Sequence, residues 1–110
     1  MKNIFVIQKG LPIDAEDNRV EVEELHVHVL FFDKNIHAKL WEWLDNYPGT
    51  YGKVETYQYN EKSGECTLDI AFGRDDDCKR AIDIVVSGVY SFLANNEIDG
   101  AVKPKYPEIC

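Results

Sequence analysis

The stretch Leu25-His26-Val27-His28-Val29-Leu30-Phe31-Phe32 decides how this chain folds. Its period of two puts Leu25, Val27, Val29 and Phe31 on one side of a strand and His26, His28, Leu30 and Phe32 on the other. The first set is the expected core face. The alternation runs back through Val20-Glu21-Val22-Glu23, so a long strand is expected after a polar, acidic loop at 14–18. Further upstream, the β-branched and aromatic run Ile4 to Ile7 predicts a short strand at a sheet edge, closed by Gly10 and Pro12.

Downstream the period changes. Asp33 suits a helix N-cap, and Ile36, Leu40, Trp43, Leu44 and Tyr47 then recur on one helical stripe until Pro48-Gly49 ends it. Residues 51–60 and 65–73 read as the strands of a hairpin around Lys62-Ser63-Gly64. With three loop residues and Gly64 left-handed, Tyr59 faces Thr67 and Tyr57 faces Asp69. Both tyrosines are then expected on the side of the sheet away from the helices, beside His26, His28 and Phe32. Asp75 or a neighbouring aspartate caps a second helix carrying Cys78, Ala81, Ile82, Val85, Val89, Phe92 and Leu93, which ends near Asn95-Asn96. Residues 98–105 supply a last edge strand.

This order predicts a single α+β domain over 1–110. The expected frame is a ferredoxin-like (split βαβ) antiparallel sheet with two helices on one face and an extra N-terminal strand. Such a frame hosts many unrelated functions, so function must be argued from sites.

Composition narrows the choice. Twelve basic and twenty acidic residues give a net charge of −8. That field repels phosphate backbones and argues against direct nucleic-acid binding. A hydrophobic content of 45% supports one packed core. Three cysteines without a C-x-x-C pair fit a reducing compartment, and no stretch has the length of a signal core or membrane span, so a cytoplasmic protein is expected. No G-x-S-x-G, H-E-x-x-H or phosphate-loop pattern occurs, and Cys66 and Cys78 fall on apolar faces. Neither an enzyme nor a cofactor is expected.

Two features carry chemistry. His26 and His28 point the same way and could offer two imidazoles to a metal ion, with His37, Cys66 or Asp69 as the available supplements. Two histidines alone are weak evidence, and polar residues on an exposed sheet face is the plainer account. The acidic excess is concentrated at Asp14, Glu16, Asp17, Glu21, Glu23 and Glu24, and again at Asp75, Asp76 and Asp77. Helix capping accounts for part of the second cluster. Trp41 falls outside the first helix's apolar stripe, where it can anchor a partner or cover a core edge.

The leading expectation is an acidic inhibitory protein, an immunity protein that neutralises a basic bacterial toxin nuclease by blocking its active site. Clustered carboxylates would complement a phosphate-binding site, and Trp41, Tyr57 or Tyr59 would act as desolvated anchors. One alternative is a phage-type inhibitor that mimics nucleic acid against a host defence complex. Another is a small-ligand or metal-binding domain using His26 and His28. A homodimer remains open.

Overall fold

The computed structural model describes residues 3–13, 24–47, 52–73 and 76–108. The alternating stretch forms β2 (Leu25–Phe31). Around it the chain runs β1 (Asn3–Gly10), β2, a 3-10 turn at Lys34–Ile36, α1 (His37–Asp45), β3 (Lys53–Tyr59), β4 (Cys66–Phe72), α2 (Cys78–Asn95) and β5 (Gly100–Lys105). The five strands form one sheet in the order β3-β4-β2-β1-β5. The expected strand at Val20–Glu23 lies outside the described residues.

Two expectations need correction. The sheet is mixed rather than antiparallel, because β1 and β5 pair in parallel, from Asn3 opposite Gly100 to Gln8 opposite Lys105. β1 is also no edge strand: it lies between β2 and β5 and is eight residues long. Phe5 and Ile7 are fully buried, which an interior strand provides. β1 pairs antiparallel with β2, with Val6 opposite Leu30 and Gln8 opposite His28.

The apolar face behaves as its period requires. Val27, Val29 and Phe31 join Phe5, Ile7, Leu68 and Ile70 in one cluster with Leu40 and Leu44 of α1 and Ile82, Val85, Val89 and Phe92 of α2. Both helices therefore pack on the same side of the sheet. Asp33 caps the 3-10 turn rather than α1 itself, its Oδ1 accepting from the Asn35 N–H at 3.0 Å. Asp77 caps α2, accepting from the Arg80 N–H at 3.0 Å. At the other end of α2, Glu97 is left-handed at φ 54°, and the Ile98 N–H donates to the Leu93 carbonyl at 2.9 Å. That closing turn also packs Ile98 against the core.

The hairpin corrects the third expectation. Tyr59 faces Cys66 and Tyr57 faces Leu68, so both tyrosines lie on the helix side of the sheet. Gly64 is left-handed at φ 79°, as anticipated, but the loop holds four residues, Glu61 to Gly64. The Asn60 side chain causes this, since its Oδ1 accepts from the Lys62 and Ser63 N–H groups and starts the turn one residue early. One residue of register exchanges the faces. A register irregularity between Val54 and Thr56 keeps Val54 in the core as well. Among the described residues, no helix is long and apolar enough to cross a membrane.

Candidate functional site

Two places gather polar side chains, one on each side of the sheet. On the side away from the helices, β2 directs His26 and His28 toward β4, where His28 lies opposite Asp69. Asp69 is only 1% exposed. Its Oδ1 accepts from His26 Nδ1 at 2.7 Å, and its Oδ2 accepts from the Ile13 N–H at 3.2 Å. A carboxylate can only accept, so His26 carries its proton on Nδ1. The opposite ring nitrogen, Nε2, is 3.7 Å from Glu24 Oε2. His28 Nε2 approaches Asp69 Oδ1 at 3.4 Å, too loosely for a firm hydrogen bond, and has no other partner among the described residues.

His28 also depends on β1. A Cβ at Gly10 would come within 2.3 Å of its ring, so the bare backbone there is the bed on which the imidazole lies. Burial pushes the Asp69 carboxyl up, but the imidazoles of His28 and His26 and the Ile13 N–H outweigh it, holding the group below its ordinary value of 3.8. The cluster thus ties β2, β4 and the segment after β1 to one carboxylate.

His37 and Cys66, two of the three supplementary ligands considered for His26 and His28, are placed elsewhere. Cys66 is buried on the helix side, and His37 stacks on Tyr57 with ring centres 3.9 Å apart. Among the described residues, no group of three or more His, Cys, Asp or Glu is arranged to hold a metal ion.

The second place is a cleft of about 660 Å³ between α1 and α2. Its floor holds Trp43 and Phe92, packed edge to face with centres 6.3 Å apart. The Trp43 indole N–H donates to the Gly88 carbonyl at 3.0 Å. Asn46 and Asn96, the C-caps of α1 and α2, both line the cleft. Each donates its Nδ2 at 2.8 Å to its own helix, Asn46 to the Glu42 carbonyl and Asn96 to the Phe92 carbonyl. Their donors are engaged inward, and their side-chain oxygens remain as acceptors.

The other expected contact residues are dispersed. Trp41 is half-buried and packs against the core, covering its edge. The Tyr57 hydroxyl donates to Cys66 Sγ at 3.5 Å and is pushed up to about 12, by burial first and then by that bond. Tyr59 is exposed with the Lys34 ammonium 5.5 Å from its ring centre. Asp77 caps α2, while Asp76 Oδ2 accepts from the Gly73 N–H at 2.7 Å. Glu24 is exposed beside His26. Asp14, Glu16, Asp17, Glu21, Glu23 and Asp75 lie outside the described residues.

The polar residue inside the apolar run Leu68-Asp69-Ile70 was the available signal for the cluster. Nothing comparable marks the cleft, because Asn46, Asn95 and Asn96 read simply as helix ends. No protein family, curated protein or solved structure matches this chain.

Proposed function

We propose that the protein acts by binding rather than catalysis, as an acidic immunity protein that neutralises a basic nuclease toxin by covering its active site. The observation that carries this reading is a division of labour among the carboxylates. Asp33, Asp45, Asp69, Asp76 and Asp77 accept backbone or imidazole hydrogen bonds that hold caps, turns and strands together. Glu24, Glu42, Glu55, Glu61 and Glu97 are exposed. These glutamates are left on the surface, where they can meet a positive phosphate-binding site and raise the association rate. We read the order β2-α1-β3-β4-α2-β5 as a split βαβ course with β1 inserted between β2 and β5, an arrangement that supports display of this surface.

Co-expression with a nuclease domain encoded beside this gene tests the proposal. Growth should be restored, and the purified chain should abolish nucleic-acid cleavage at a one-to-one ratio. Undiminished cleavage at molar excess would overturn the reading.

A further inference from the structure

We infer that the outer edge of β3 is a self-association surface, at which Tyr57-Gln58-Tyr59 pairs antiparallel with the same segment of a second copy of this chain. The inference is independent of the proposed inhibitory function. A sheet edge exposes backbone N–H and C=O groups that can template another strand, and this sheet has two edges, β3 and β5. The β5 edge is interrupted. The Asn3 N–H donates to the Asp99 carbonyl at 3.2 Å, which by the spacing of a parallel ladder turns the backbone groups of Gly100, Val102 and Pro104 outward. Pro104 has no N–H, and exposed Lys103 and Lys105 flank it, two devices that discourage strand addition. β3 is closed only over its first residues. There the register irregularity between Val54 and Thr56 disturbs the ladder, and the Val54 N–H is taken by Asp45 Oδ1 at 3.1 Å.

Beyond Thr56 the edge is open. The Asn60 N–H donates to the Glu65 carbonyl at 2.9 Å, so in the alternation of an antiparallel ladder Thr56 and Gln58 bond to β4, while Tyr57 and Tyr59 direct their N–H and C=O groups away from the sheet. Among the described residues, no strand lies beyond β3 to meet these four groups.

What fits them is their own copy. Two donors and two acceptors on alternate residues are self-complementary about a two-fold axis at Gln58: Tyr57 of one copy pairs with Tyr59 of the other, twice, and every one of these groups is bonded. The side chains agree with this register. On the helix side it sets tyrosine directly across from tyrosine, a favourable cross-strand pair, with Tyr57 already held by the His37 ring and Tyr59 by the Lys34 ammonium. An unrelated extended peptide would meet the same backbone but lack these pairs. Charge does not oppose the contact: in a chain of net charge −8, the strand and its turn set Lys53 and Lys62 against Glu55 and Glu61. Two acidic molecules therefore approach here over a locally balanced segment.

The test is self-association of the full chain, followed by sedimentation from about 10 µM to about 1 mM, because a short edge contact makes a weak dimer. The expected result is a concentration-dependent equilibrium of monomer and dimer, in which the Tyr57 and Tyr59 amide protons become protected from exchange as the dimer fills. Gln58 is exposed and faces its own copy at the axis. Gln58→Lys and Gln58→Glu each bring like charges together there and should weaken the dimer about tenfold, with the unfolding midpoint of the dilute protein unchanged. Mixing the two variants brings opposite charges together and should restore it. A chain that stays monomeric throughout that range would overturn the inference. So would a dimer equally strong in both variants, or one lost in each and not recovered in the mixture.

Discussion

The cluster around Asp69 and the cleft between the helices draw on similar polar groups but match them differently. In the cluster, one buried carboxylate receives the His26 Nδ1–H and the Ile13 N–H while His28 leans on it. In the cleft, the Trp43 indole N–H and the Asn46 and Asn96 amides are engaged on backbone carbonyls, while the exposed Lys39 and Glu42 side chains stand on its rim. A buried site whose donors and acceptors are paired within the chain contributes to the fold. A solvent-facing site with exposed charged groups on its rim can contribute to recognition of a partner. The two regions should therefore respond in opposite ways to substitution, one through stability and the other through binding.

The largest expected effect is at the cluster. Asp69→Ala removes the acceptor from the buried His26 imidazole and the half-buried Ile13 N–H and should cost about 3–5 kcal/mol of folding stability, read from urea unfolding midpoints. Gly10→Ala attacks the same cluster from β1 by driving a methyl group into the His28 ring, and about 1–3 kcal/mol should be lost. A smaller part of the Asp69 contribution should appear as pH dependence. Because its folded value is lowered, its stabilisation is fully present above the ordinary value of 3.8 and is lost as pH falls through the folded value. Unfolding of Asp69→Asn should lack that acid-side loss; an identical profile to wild type would place the acid sensitivity elsewhere.

At the cleft the expected stability changes are slight. Glu97→Gly, at the left-handed residue that closes α2, should raise stability by up to about 1 kcal/mol, since glycine adopts that conformation without a Cβ penalty. Glu42→Gln should change thermal stability by no more than about 0.5 kcal/mol. A large loss of stability at Glu42 would erase the distinction between the two regions.

Much of the fold was legible because its determinants are local and periodic. The alternation of Leu25 to Phe31, the stripe of α2 and the Asp77 cap each depend on residues close in sequence. The errors arose where the deciding contact was either a single side chain or distant. Asn60 lengthened a turn by one residue and thereby moved Tyr57 and Tyr59 across the sheet. The position of β1 depends on β5, nearly a hundred residues away, and no local period encodes that pairing. His26 and His28 face the same way, as their spacing predicts, with Asp69 opposite His28. Its role as their hydrogen-bond centre emerged only from the β2–β4 register. The cleft depends on how α1 and α2 pack side by side, with Trp43 against Gly88 and Tyr47 against Ser87, and it leaves no pattern in the chain.

The most direct test of inhibition by complementary charge is the association rate with the nuclease domain encoded beside this gene, measured at rising salt for wild type and Glu42→Lys. The account predicts a rate that falls steeply with ionic strength and drops further on charge reversal, while the unfolding midpoint stays unchanged. A rate indifferent to both salt and Glu42→Lys would contradict it.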